Sequence, residues 1–183
     1  MTSLERELTT LEYIVLGLIA VAPQTGYSII GALEGSANRF STSPGSIYPI
    51  LKRLEKQALI VGVIEAVYET RPRKVYALTA TGEALLDEWL RRPLDNREIL
   101  ERRDIVLLKF LFSEKRLSRA EILDWLENYA ERTRTFDVTA RNFVEMGLPA
   151  DSVHSQLVLL ATQRELAMQL AWIAEAKARL SQA

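Results

Sequence analysis

The stretch from Ser41 to Leu78 constrains the fold most, because a helix with one apolar face runs directly into a β-rich segment. Ser41, Thr42, Ser43, Gly45 and Ser46 surround Pro44, a concentration of N-cap residues with a proline suited to the first helical position. Behind them Ile47, Leu51, Leu54 and Ala58 recur on one face, which leaves Ser46, Pro49, Lys52, Arg53 and Lys56 on or near the other. An interior proline removes a backbone hydrogen bond, so Pro49 predicts either a distorted first turn or a late start to the regular helix. From Leu59 to Tyr68 the residues become β-rich, and Val75 to Leu78 resume that character after the polar stretch Glu69 to Lys74. An antiparallel hairpin with a long, basic, proline-containing loop is expected.

Ahead of this segment Leu11, Ile14, Val15, Leu18 and Ile19 recur at helical spacing, with Pro23 just beyond, and predict a buried first helix. Tyr27, Ile29, Ile30 and Leu33 follow Gly26 and predict a short second helix ending near Gly35. After the hairpin, Thr79 to Glu83 opens a helix that runs through Trp89 and Leu90 and stops before Pro93. Three helices and a hairpin, with the third helix basic on one side, form the winged variant of the helix-turn-helix. In that arrangement the third helix enters the DNA major groove and the loop between strands carries cations to neighbouring phosphates. Ser43, Gly45 and Ser46 are small enough to let the helix N-terminus approach a phosphate. Lys52 and Arg53 lie further along, and Arg71, Arg73 and Lys74 are expected at the loop tip. Tyr48 divides evenly between phosphate contact and packing on the hairpin, whereas Tyr27 and Tyr76 are read as structural.

Residues Arg92 to Arg97 are polar, contain Pro93 and read as a linker. Beyond them one helix is expected from about Glu98 to Phe112. A second opens at the capping-box pattern Ser118 to Glu121 and runs toward Gly147, and a third follows Pro149. The expected class is therefore mainly α with a small β-hairpin: a winged helix-turn-helix in residues 1–92 and an antiparallel helical domain in residues 98–183. A helical hairpin this long needs a partner surface to cover its apolar face. Trp89, Phe110, Trp125, Phe136 and Trp172 either line an effector pocket or fill the helix and dimer core, and aromatic residues at helical spacing usually pack.

Overall charge is neutral ground, with 23 basic against 24 acidic residues. Its distribution is not: the window Arg39 to Leu78 carries a net +4 and the remainder −5. There is no cysteine and one histidine, His154, so no thiolate nucleophile, Cys-based zinc site or His-rich metal centre is expected. No nucleophile–base pair and no glycine-rich phosphate loop stands out, and neither an enzyme nor a resident cofactor is expected. The apolar run Tyr13 to Ala22 is too short to span a bilayer and follows an acidic stretch, the wrong sign for a signal peptide; a cytoplasmic protein is expected.

The residues also carry a family resemblance. Gly26-Tyr27, the run Ser43-Pro44-Gly45-Ser46-Ile47-Tyr48-Pro49-Ile50-Leu51-Lys52-Arg53-Leu54-Glu55, and Val75-Tyr76-Ala77-Leu78-Thr79 followed by Gly82 resemble the PadR family of transcriptional regulators. The group with a long C-terminal helical domain is the nearest in character. The resemblance accounts for Pro49, since the Tyr-Pro pair belongs to the family's recognition helix. It implies a homodimer built by the C-terminal helices, an inverted-repeat operator in double-stranded DNA, and a repressor released by a small, often aromatic effector. Ala58 departs from the pattern, which has glycine there; a left-handed cap at an alanine costs about 1 kcal/mol, so a different turn is admissible. The reading from another class is a protein-interaction adaptor that keeps the winged-helix scaffold without binding DNA.

Overall fold

The computed structural model describes residues 6–35, 44–66, 72–147 and 152–182. In chain order the elements are α1 (Thr10–Val21), β1 (Gln24–Thr25), α2 (Gly26–Gly35), α3 (Pro44–Lys56), β2 (Ile60–Ala66), β3 (Pro72–Leu78), α4 (Ala80–Arg91), α5 (Asn96–Leu100), α6 (Arg103–Ser113), α7 (Arg119–Gly147) and α8 (Val153–Gln182). They form two compact units: Met1–Arg92 with Asp104–Arg116, and Pro93–Arg103 with Leu117–Ala183. Among the described residues no helix is long and apolar enough to cross a membrane.

The first unit has the expected order of helices and hairpin, with additions. Thr9 and Glu12 close the N-terminus of α1 with a capping box, and α1 is buried on nearly every side. Ile14, Leu16, Ile47, Leu51, Leu54 and Leu86 are shut off from solvent and join α1, α3 and α4 in one core. α3 runs without interruption through Pro49, so neither the distorted turn nor the late start is needed. The missing proline N–H would have bonded back to Gly45, one residue into the helix, and the ring itself faces solvent. The sheet has three strands in the order β1-β3-β2, all antiparallel, instead of a bare hairpin. β1 pairs Gln24 with Tyr76 and Thr25 with Val75. β3 begins at Pro72, earlier than the apolar pattern indicated, because Arg73 and Lys74 pair with Glu65 and Ile64 across the ladder.

The expected helix from Glu98 to Phe112 is instead two, α5 and α6, separated at Glu101 and Arg102. α5 has its own capping box, with Asp95 and Glu98 exchanging hydrogen bonds. α6 belongs to the first unit, so the division differs from a single cut after residue 92. The reason is its apolar face. The Phe112 ring lies against Gly17 of α1, where a β-carbon would come within 2.2 Å of it. The buried Lys109 holds its ammonium 4.8 Å from the centre of the Trp89 ring, which stacks flat on Tyr13 at 5.1 Å. Arg116 closes the unit through an ion pair with Asp87.

In the second unit α7 and α8 are the long helices foreseen. The Ser118–Glu121 capping box opens α7. A buried polar relay ties the unit's helices: the Tyr129 hydroxyl donates to Gln169 at 2.7 Å, and the Gln169 amide donates to the Ile99 carbonyl at 3.3 Å. Burial pushes the Tyr129 phenol up to about 12, so it stays a donor across the physiological range.

The turn from α3 into β2 settles the question that Ala58 raised. Ala58 takes φ 55°, the left-handed conformation, despite its β-carbon. Its carbonyl accepts the Thr79 hydroxyl at 2.7 Å, and the Leu59 carbonyl accepts the Thr79 N–H at 3.1 Å. Thr79 caps α4, and Gly82 passes so close that a β-carbon would lie 2.0 Å from the Leu59 oxygen. Two opposite outcomes are expected in urea or thermal denaturation. Ala58→Gly relieves the strained cap and gains about 1 kcal/mol, whereas Gly82→Ala drives a side chain into backbone and costs about 1–3 kcal/mol.

Candidate nucleic-acid interface

Once Ile47, Leu51 and Leu54 are committed to the core, the opposite side of α3 must face water. Gly45, Ser46, Tyr48, Pro49 and Lys52 are all exposed there. Ser43 and Arg71 lie outside the described residues. A short hydrogen-bonded turn holds the entrance to α2 beside this face: Thr25 N–H donates to Ser28 Oγ at 2.9 Å, and Ser28 Oγ donates to Gln24 at 2.6 Å. The Tyr48 ring lies across Gly26, whose missing β-carbon would come 2.7 Å from the ring edge. Tyr48 therefore packs on α2 and remains half open to solvent, combining elements of both readings.

Tyr27 is 82% exposed, so the structure corrects its assignment as a packing residue. On the α2 wheel Ile29 and Leu33 lie roughly opposite it and take the buried side. That spacing was the available signal. Tyr76 is buried, as expected of a structural residue, and burial raises its phenol above the ordinary value.

Arg73 and Lys74 are strand residues, not loop-tip residues. Arg73 Nε and Nη2 both donate to Glu65, at 3.1 and 2.9 Å, across a directly opposed pair. Lys74 Nζ reaches Glu55 of α3 at 2.7 Å and sits 5.4 Å from the centre of the Tyr76 ring. The Glu55 hydrogen bond raises the Lys74 ammonium above its ordinary range. Gly62 makes room, since a β-carbon there would fall 2.1 Å from Lys74 Cε. The wing strands are thereby fastened to α3, and both cations arrive with a carboxylate partner. Arg53, next to the exposed Lys52, points the other way and forms an ion pair with the buried Glu12 of α1. Burial lowers its guanidinium from the ordinary value, with nearby Arg6 adding to the effect.

The aromatic candidates separate. Trp89 and Phe110 belong to the first unit, and Trp125, Phe136 and Trp172 to the second. Trp89 is core, in the Tyr13 stack. Trp125 tilts against Tyr129 at 6.0 Å, with its indole nitrogen buried and without a hydrogen-bond partner. A groove of about 340 Å³ runs along α7 and α8, lined by Ala130, Arg134, Leu170, Ile173, Ala174 and Lys177. None of the five aromatic candidates lines it. Among the described residues no cluster of three or more side chains suits a metal ion.

Gly26→Ala provides a check on the packing of Tyr48. The half-exposed ring can swing toward solvent, but the new β-carbon also lies 3.3 Å from Cδ1 of the buried Leu51, so a loss of about 1 kcal/mol is expected, while the Tyr48 ring signals in an NMR spectrum shift clearly. Unshifted Tyr48 ring signals would show that the ring does not pack on Gly26.

Residues 15–88 match the profile of the Transcriptional regulator PadR-like family. The negative transcriptional regulator PadR of Bacillus subtilis is 29% identical over 123 residues, covering 67% of this chain and 66% of that one. Its crystal structures with operator DNA and with p-coumaric acid are 23% identical to this chain and cover 94% of it and 99% of theirs, with TM-scores of 0.47 and 0.42. A transcriptional regulator of Mycobacterium tuberculosis is 42% identical over 69 residues, 37% of this chain and 63% of its own. A PadR-like transcription factor of Bacteroides fragilis is 33% identical, covering 43% of this chain and 75% of that one, with a TM-score of 0.40.

Proposed function

The chain belongs, through residues 15–88, to the PadR-like family of transcriptional regulators, and from that premise we propose a sequence-specific repressor that binds an inverted-repeat operator as a homodimer. The observation that carries this reading is the division of α3: Ile47, Leu51 and Leu54 lock one side into the core, and Gly45, Ser46, Tyr48, Pro49 and Lys52 stand exposed on the other. A helix held this firmly can present a fixed set of side chains to base edges and phosphates. Tyr27 joins that face from α2, and Ser43 and Arg71 are kept as contacts from the sequence pattern. Arg73 and Lys74 would contact phosphate only in competition with Glu65 and Glu55.

The dimer is supported by the N-terminal half of α8, where Val153, Leu157, Val158 and Leu160 are exposed. Apolar surface on a helix of this length calls for a partner, and a second copy supplies the twofold symmetry that an inverted repeat matches. B. subtilis PadR has been solved with p-coumaric acid, and by that analogy a small aromatic effector is proposed to release DNA. Such a ligand must bind the DNA-competent and incompetent arrangements unequally. The two exposed cations of α3, Lys52 and Lys56, favour DNA over the adaptor reading.

Selection from random duplexes, followed by titration of the enriched sequence across salt concentrations, tests the proposal. An enriched inverted repeat with steep salt dependence is expected, and Lys52→Ala should reduce the slope of log affinity against log salt by about 0.9. Absence of enrichment would transfer the case to the adaptor.

A further inference from the structure

Glu12 is shut off completely from solvent, although it is a carboxylate on the first turn of a helix. A charge in such a place persists only where other groups replace the water it has lost. Here the Thr9 N–H and hydroxyl donate to it at 2.7 and 2.9 Å, Arg6 approaches at 3.3 Å, and Arg53 forms an ion pair with its other oxygen. Capping of α1 explains the Thr9 contacts, and a glutamine at that position caps as well. It does not explain why an arginine is drawn in from a different helix.

Arg53 lies in the last turn of α3, one residue from Lys52. Two neighbouring cations on one helix are thus divided, with Lys52 exposed and Arg53 half-buried against Glu12. Arg53 Nε is buried and has no hydrogen-bond partner, while the side chain as a whole stays 35% exposed, so the arginine gives up part of its hydration to reach Glu12. An ion pair with one fully desolvated partner is a poor source of stability compared with apolar packing, and its best-attested use is to fix register between elements. The forked, planar guanidinium suits that task better than an ammonium.

We propose that Glu12 is a positioning residue for DNA binding: it holds α3 through the Arg53 guanidinium and sets how Ser46, Tyr48 and Lys52 are presented, without touching DNA itself. Arg53 on this account is an internal anchor and makes no phosphate contact. The proposal rests on the DNA-binding reading above.

The test uses the full-length chain and the selected operator duplex. Glu12→Gln, Arg53→Met and the double variant are titrated by fluorescence anisotropy at several salt concentrations, below the melting temperature of each as read by circular dichroism. Each single change is expected to weaken operator binding about tenfold with the salt slope unaltered, and the double variant to be no weaker than either single. Lys52→Ala, measured alongside, shows the slope change that a true phosphate contact produces. Three results would overturn the proposal: a salt slope lowered by about one in Arg53→Met, single effects that multiply in the double variant, or unchanged affinity in folded Glu12→Gln. Should Arg53→Met fail to fold, Arg53→Lys replaces it. It keeps a cation able to reach phosphate but loses the fork, so a tenfold loss is expected and wild-type affinity is the contrary result. If the unaltered chain binds no duplex, the DNA-binding reading fails and takes this proposal with it; salt-dependent binding with independent Glu12 and Arg53 effects overturns this proposal alone.

Discussion

One backbone junction governs the first unit. Where α3 ends, Ala58 turns the chain left-handed, and the next carbonyl, that of Leu59, is met by the Thr79 N–H and overlain by Gly82. The exit of the helix facing solvent and the entry of α4 are therefore one point in space. The hairpin between them must leave and return at that point, which fixes the β2–β3 ladder with Ile60 opposite Leu78. Shifting the pairing by one residue would turn the side chains of one strand to the wrong face of the sheet, and a slip of β3 would separate Lys74 from Glu55. An alanine in a left-handed position persists because two hydrogen bonds from Thr79 and the burial of Leu59 and Ile60 outweigh its local strain.

Local patterns in the sequence carried a good part of this. The apolar steps of α1 and α3, the turn residues around Pro44, the cap at Thr79 and the Ser118–Glu121 box are all written in residues close together, and each element formed where they pointed. Features that depend on a distant partner were not legible. β1 is two residues long, too short for any periodicity, and exists because Tyr76 and Val75 offer it an edge. Arg73 and Lys74 look like loop residues in composition and become strand residues through Glu65 and Glu55. Lys52 and Arg53 are adjacent cations with the same appearance in the sequence, and only the fold brings Glu12 beneath one of them. The break at Glu101 and Arg102 was missed for a different reason: no glycine, proline or capping residue marks it in the run Arg97 to Arg103.

The outward face of α3 shows how much of a candidate site is defined by subtraction. Its exposed residues are those left after the core has claimed Ile47, Leu51 and Leu54, and after carboxylates have claimed Arg53 and Lys74. Side chains without such obligations, Tyr27, Tyr48 and Lys52 among them, are the ones free to meet another molecule.

The placement of α6 has a consequence for how such a chain can change over generations. The polypeptide leaves the first unit after Arg92, returns for Asp104–Arg116 and leaves again. No single crossover point separates the two units. A recombination event that exchanged the segment after the wing for another helical domain would strip Phe112 from Gly17 and Lys109 from Trp89, opening the surface of α1. The halves must diversify together, by substitution within each, and the covalent path between them is inherited as part of the fold.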